Sequence, residues 1–156
     1  MKKSIQLSLF GVSEVQLGYK SKLPASQRPV IKSSRDAFDL LVQNWDINTL
    51  EYVEEFKILL LNRANAVLGI VPISKGGVSG TVTDVRVILQ AAVLSNASGL
   101  ILCHNHPSGN LNPSDADIRI TQKIKEASGI MDIQLLDHLI LTSDDSYHSL
   151  ADNGQL

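Results

Sequence analysis

The stretch "GLILCHNHPSGNLNPSDADIRI", residues 99–120, decides the predicted fold because it joins a strand to a helix. Its first five residues are apolar without alternation, the pattern of a strand with helices packed on both faces of the sheet. The strand therefore leaves the sheet at His104 and His106. Beyond the following loop, Ser114 can begin a helix that runs to about Ser128.

Flanking segments supply further helices and strands. The patterns predict a strand at 12–20, a helix at 34–44, a hairpin of two largely buried strands at 56–62 and 66–74, a helix at 85–96 and a strand at 133–143. Ser33 or Ser34 can cap the first of these helices, and Thr83 or Asp84 the second. This mixture of helices and strands places the chain in the α/β class.

Composition limits the classes of function. A chain of 156 residues with 44% hydrophobic residues fits one folded domain, and no stretch is apolar enough to cross a membrane. The net charge of −2 gives no broad attraction for nucleic-acid phosphates, although a local basic patch remains open. The single cysteine, Cys103, excludes an internal disulfide and fits a reducing compartment. We expect a cytoplasmic protein.

The histidines and the residues after them have metal-site spacing. His104 and His106 project to the same side of an extended strand, and Asp117 lies one turn into the helix that starts at Ser114. Two imidazoles and one carboxylate are the ligands of a catalytic zinc that keeps a fourth position open. The alternatives are hydrogen-bonded histidines and a capping box formed by Ser114 and Asp117. Cys103 points away from His104, which favours a buried core residue over a fourth ligand.

A zinc-activated water also needs a base, usually a carboxylate that is not a ligand. The segment "EYVEEF" supplies Glu51, Glu54 and Glu55 just before a buried strand. A solvated acidic turn is the alternative for each of them. The residues alone leave the choice of base open.

The segment "HNHPSGNLNPSDAD", residues 104–117, resembles the His-x-His, seven residues, Ser-x-x-Asp signature of the JAB1/MPN/Mov34 (JAMM) metalloenzymes. Together with "LLDHLIL" downstream, it resembles the bacterial RadC-like proteins over roughly residues 30–148. The resemblance implies an α/β fold related to cytidine deaminases, a three-layer mixed sheet with helices on both faces. Asp137 and His138 also match, and we interpret them as a polar pair bonded to backbone, with support of the metal ligands as the alternative.

The resemblance implies zinc held by His104, His106 and Asp117. It maps the base to Glu54, two positions before the strand's phenylalanine, with Glu55 as second choice. Ser114 would help to hold the water or the developing oxyanion. The implied activity is a zinc-dependent metallopeptidase or isopeptidase that acts on a peptide or protein substrate.

Three regions and two alternative functions complete the predictions. We expect a lead-in segment at 1–30, the RadC-like JAMM/MPN domain at 31–150 and a disordered tail at 151–156.

Full-length RadC-like proteins carry a helix-hairpin-helix segment, and the 30 residues before this domain show no such pair, which weakens an inherited role in DNA repair. A DNA-associated accessory role would use Arg119, Lys123 and Lys125. A catalytically silent protein-interaction domain is the other alternative. The loops at 74–82 and 107–113 carry no recognisable substrate specificity.

Overall fold

The residues that the computed structural model describes are Gly11, 15–76 and 82–156, and they form three α-helices, five strands and a short 3-10 helix. The elements in chain order are the 3-10 helix Ala25–Gln27, α1 (Ser34–Gln43), β1 (Glu55–Leu61), β2 (Val67–Lys75), α2 (Val85–Leu94), β3 (Gly99–Asn105), α3 (Asp115–Gly129), β4 (Gln134–Leu141) and β5 (Tyr147–Ser149). The sheet order is β2–β1–β3–β4–β5. Only β3 and β4 pair in parallel, so the sheet is mixed.

Helices cover both faces of this sheet. On one side, called the α1 face, Phe38 of α1 packs with Leu59, Cys103 and Leu139 of three strands. On the other side, called the α2/α3 face, the core includes Ile88 of α2, Ile124 of α3 and strand residues such as Ile58 and Leu102. Alternate residues of β1 and β3 therefore belong to different cores. The predicted three-layer α/β fold is confirmed.

Each long helix begins at a side chain that accepts a hydrogen bond from the first turn. Ser33 accepts from the backbone N–H of Asp36, and Asp84 accepts from that of Arg86. Ser114 caps α3 in the same way through Asp117. These contacts satisfy N–H groups that have no partner inside the helix, so the predicted helix starts are confirmed.

Three sequence expectations about the strands and the tail differ from the structure. Residues 15–20 form no strand, and 12–14 of that predicted strand lie outside the described residues. The strand β2 is half-exposed rather than largely buried, because it lies at the edge of the sheet. Residues 151–154 of the segment that was predicted as a disordered tail, 151–156, instead form turns.

A buried carboxylate holds the start of the chain's last segment against the sheet. Asp137 accepts hydrogen bonds from the Ser149 hydroxyl at 2.7 Å and from the backbone N–H of Ala151 at 3.0 Å. The side chain of Leu156 packs against the core of the α2/α3 face. These contacts explain the order of a segment whose polar sequence suggested fraying.

Among the described residues, no helix has the length and apolar character needed to span a membrane.

Candidate metal centre

The end of β3 and the first turn of α3 bring the three predicted ligands together. The Nε2 atoms of His104 and His106 are 2.9 Å apart. The Asp117 carboxylate lies 3.2 Å from His104 Nε2 through Oδ1 and 3.6 Å from His106 Nε2 through Oδ2. His104 is buried, whereas His106 and Asp117 are partly exposed. The cluster therefore combines a rigid inner side with access from solvent.

The hydrogen bond behind His106 determines what its inner nitrogen can do. The Nδ1 atom of His106 lies 2.5 Å from the backbone oxygen of Asn110. Because a carbonyl oxygen only accepts, Nδ1 carries the proton, and Nε2 of the neutral ring presents a lone pair to the cluster. A tetrahedral metal ion bound at about 2.0–2.1 Å spaces its ligand atoms about 3.3 Å apart. The observed separations of 2.9 to 3.6 Å lie on both sides of that value, so these residues fit a metal ion.

The electrostatics of the cluster also favour a cation. The hydrogen bond to Asp117 raises the pKa of His106 against the opposing effect of burial. Burial acts to raise the pKa of the Asp117 carboxyl, but its contacts with His104 and His106 and the hydrogen bond from Ser114 outweigh burial and hold that pKa well below its ordinary range. A carboxylate that stays ionised beside two imidazoles attracts positive charge, whether a proton or a metal ion.

Ser114 forms the capping box that was the alternative interpretation of its spacing. Its Oγ accepts from the Asp117 backbone N–H at 3.2 Å, and the Ser114 N–H donates to Asp117 Oδ2 at 2.7 Å. Its hydroxyl also donates to the same Oδ2 at 2.7 Å. The cap therefore holds the carboxylate that faces the histidines, and helix capping and site geometry depend on the same contacts.

Strand register separates the two candidate bases. Phe56 pairs with His104 across β1 and β3, and its ring stacks on that imidazole with 4° between the planes. Glu54 immediately precedes the first residue of β1, and its charge helps to raise the pKa of His106. Glu55 lies on the α1 face, where its carboxylate is 3.0 Å from Lys75 Nζ and 3.4 Å from Lys57 Nζ.

The remaining candidates lie away from the cluster. Glu51 accepts a hydrogen bond from the Ser143 hydroxyl at 2.6 Å on the exposed side of the molecule. Cys103 is fully buried in the core of the α1 face, which confirms the interpretation as a core residue. Burial raises the pKa of its thiol well above the ordinary value. Neither side chain joins the three ligands.

Two residues lie behind His104: His138, for which support of the metal ligands was the alternative interpretation, and Thr121, which was not identified from the sequence. His138 is fully buried, with Nε2 2.8 Å from His104 Nδ1 and Nδ1 2.6 Å from Thr121 Oγ1. The predicted backbone bonding holds for Asp137, which accepts from its neighbour's N–H, but His138 bonds to side chains instead. Burial lowers the pKa of His138 well below its ordinary value, so the ring is neutral. Thr121 follows Asp117 by one helical turn, and that spacing was the available signal.

Asn105, the middle residue of the His-x-His motif, faces the opposite side of the sheet. Its side-chain amide donates to the backbone oxygens of Leu50 at 2.8 Å and Val53 at 2.9 Å. Its oxygen accepts from the Glu55 N–H at 2.7 Å. Asn105 therefore joins the segment that carries Glu54 to the end of β3, between the two histidines.

Known proteins are similar to this chain in sequence. The family model described as RadC-like JAB domain matches residues 31–155. A UPF0758 protein of Flavobacterium johnsoniae is 49% identical over 124 residues, 80% of this chain and 52% of the relative. UPF0758 proteins of Porphyromonas gingivalis (46% over 103 residues, 66% and 45%) and Clostridium beijerinckii (40% over 124 residues, 80% and 52%) are also similar. The chain spans about half the length of these curated relatives.

The matched range contains the complete ligand cluster and all five strands of the sheet. A mixed sheet with helices on both faces agrees with the JAB-type domain that the family model describes. The identity to each of these relatives extends over most of this chain or about two thirds of it. This chain belongs to the RadC-like JAB domain family.

Proposed function

We propose that this chain is a zinc-dependent hydrolase of the JAMM type that cleaves a peptide or isopeptide bond. The observation that supports it is the convergence of two imidazole nitrogens and one carboxylate within 4.8 Å, near enough to Glu54 for the charge of that acid to raise the pKa of His106. Two nitrogens and one oxygen leave a tetrahedral ion one position for water or substrate. A purely structural zinc site would take four protein ligands.

The residues of the chain divide the work. His104, His106 and Asp117 would hold the ion, which supplies Lewis-acid chemistry that lowers the pKa of water toward about 7 and polarises a carbonyl. Glu54 accepts the proton of the attacking water and passes it to the leaving nitrogen. Ser114 stabilises the oxyanion: rotation about its Cβ–Oγ bond redirects the hydroxyl proton from Asp117 without moving the oxygen that caps α3.

Metal analysis is the first test of this proposal. The purified protein is expected to hold close to one zinc per chain, and the double variant His104→Ala, His106→Ala is expected to hold almost none. His148→Ala is the matched control, because His148 bonds to Gln155 and lies outside the cluster. Near-stoichiometric zinc in the double variant would contradict the assignment of His104 and His106 as zinc ligands.

Cleavage assays then separate the proposal from its two alternatives. A panel of peptides and ubiquitin-like isopeptide conjugates should include a substrate that the wild type cleaves and the double variant does not. Zinc binding without cleavage of any member favours an interaction domain. A salt-dependent shift of labelled DNA, lost when exposed Arg119, Lys123 and Lys125 on α3 are neutralised, favours the DNA-associated role.

A further inference from the structure

A chain of buried hydrogen bonds runs from His104 away from the ligand cluster. His104 Nδ1 meets His138 Nε2 at 2.8 Å, and His138 Nδ1 meets Thr121 Oγ1 at 2.6 Å. The Thr121 hydroxyl then meets the backbone oxygen of Asp117 at 2.5 Å. The chain starts at one ligand on β3 and ends at the backbone of another ligand on α3.

The backbone oxygen of Asp117, the last acceptor, fixes the direction of every hydrogen bond in this series. The Asp117 carbonyl cannot donate, so the Thr121 hydroxyl gives its proton to it and accepts from His138 Nδ1–H. His138 then carries its proton on Nδ1, and its Nε2 accepts from His104 Nδ1–H. The proton of His104 is thereby held on Nδ1, and Nε2 keeps its lone pair toward the ligand cluster.

We propose that Thr121 and His138 are positioning residues that fix the tautomer and ring orientation of His104, so that Nε2 is always presented for metal binding. The inference rests on the metal site in the proposed function. Neither residue is among the three ligands of the cluster. Thr121 is 3% exposed and His138 is fully buried, so solvent is excluded as the replacement partner.

The Thr121 hydroxyl prevents these hydrogen bonds from running in the opposite direction. If the hydroxyl is absent, His138 has no acceptor for Nδ1–H and is better satisfied with its proton on Nε2. That proton points at His104 Nδ1, which must then accept, and the proton of His104 moves to Nε2. The nitrogen that should bind the metal is then occupied by hydrogen, and binding requires both rings to change tautomer.

Two substitutions at residue 121 test this inference in the full-length chain. Thr121→Val keeps the branched shape and removes the hydroxyl, while Thr121→Ser keeps the hydroxyl and removes a methyl group. Long-range ¹H–¹⁵N spectra of the metal-free proteins identify which nitrogen of each histidine is protonated. Competition with a chelator gives the zinc dissociation constant of each protein. Outer hydrogen bonds to ligand histidines typically contribute about 10–100-fold in metal affinity.

The expected results are specific to the tautomer. Wild type and Thr121→Ser show His104 protonated on Nδ1, whereas Thr121→Val shows it on Nε2 and binds zinc about 10–100-fold more weakly. Unchanged tautomers in Thr121→Val would overturn the inference, as would equal zinc affinities for the valine and serine variants. A wild type that binds no zinc but shows the expected tautomers overturns the proposed function and leaves the positioning role standing.

Discussion

The buried polar groups on the two faces of the sheet have different kinds of partners, although residues adjacent in sequence supply the groups of both faces. His104 and His138 lie on the α2/α3 face, and their neighbours Asn105 and Asp137 lie on the α1 face. Asn105 makes hydrogen bonds to three backbone groups, and Asp137 makes them to backbone groups and to the Ser149 hydroxyl. On the other face, the bonds of His104 and His138 end at a cluster where lone pairs converge.

This difference distinguishes structural polar groups from functional ones. Buried polar groups whose partners are complete within the protein stabilise a particular geometry and offer nothing to a ligand. Two imidazole nitrogens and an ionised carboxylate that converge favour an additional cation, and such clusters are typical of sites that do chemistry. Substitutions on the α1 face should therefore change stability, whereas those on the α2/α3 face should change metal binding and catalysis.

The largest expected effect is a loss of turnover that distinguishes two adjacent acids, Glu54 and Glu55. Glu54→Gln should lower the turnover of a cleaved substrate by roughly 10²–10⁴-fold, because general-base catalysis contributes about that much. Glu55→Gln should leave turnover within about threefold, since its carboxylate is paired with two lysines on the α1 face. Steady-state kinetics under saturating zinc measure both.

Zinc content serves as the control for this pair. Both variants should bind zinc as the wild type does, because neither acid is among the three ligands. A larger loss of turnover in Glu55→Gln than in Glu54→Gln would reverse the assignment of the base. It would also contradict the proposal that polar groups on the α1 face stabilise the fold while those on the α2/α3 face serve catalysis.

The next effect concerns stability on the α1 face. Asn105→Ala removes three buried hydrogen bonds and leaves the carbonyls of Leu50 and Val53 without this donor. We expect the free energy of unfolding to fall by about 3 kcal/mol, because unsatisfied buried groups cost about 1–3 kcal/mol each. Urea denaturation of the metal-free protein measures the loss, and exposed Asn112→Ala should change it by less than about 0.5 kcal/mol. A loss as small as that of Asn112→Ala would contradict a structural role for Asn105.

Local pattern accounts for what the sequence predicted well. The helix starts at Ser33, Asp84 and Ser114 follow from capping chemistry, which involves only the next few residues. The cluster of His104, His106 and Asp117 was predicted from two short spacings, one along a strand and one along a helix turn. Both spacings survive in the structure because each lies inside or beside a regular element.

Long-range contacts account for what the sequence did not predict. His138 reaches His104 only because β4 pairs in parallel with β3 in one register, and a bulge between Leu100 and Ile101 sets which residues share a face. The order of 151–156 depends on Asp137, a residue 14 positions before Ala151. The strand β2 is only partly buried because no strand lies beyond it among the described residues. Pairing partners of this kind are not visible in local periodicity.

The smallest expected effect is the pH dependence of stability at Glu55. Burial acts to raise the pKa of this carboxyl, but Thr49, Lys75 and Lys57 together lower it below its ordinary value of 4.5. The unfolded chain therefore binds the proton more readily, and the paired carboxylate stabilises the fold at pH values above about 4.5. That contribution is lost as the pH falls through the lowered pKa of the folded state.

Glu55→Gln has no charge to titrate at this position, so the difference in stability between the variant and the wild type changes with pH only as Glu55 titrates. We expect a deficit of about 1 kcal/mol at neutral pH, reduced because solvent screens the exposed Lys75, and a smaller deficit at about pH 3. Urea denaturation of the metal-free proteins at both pH values measures the difference. A deficit that grows in acid would mean that the folded state raises the pKa of Glu55, and the lysine pairs would then not explain why this acid lies buried on the α1 face.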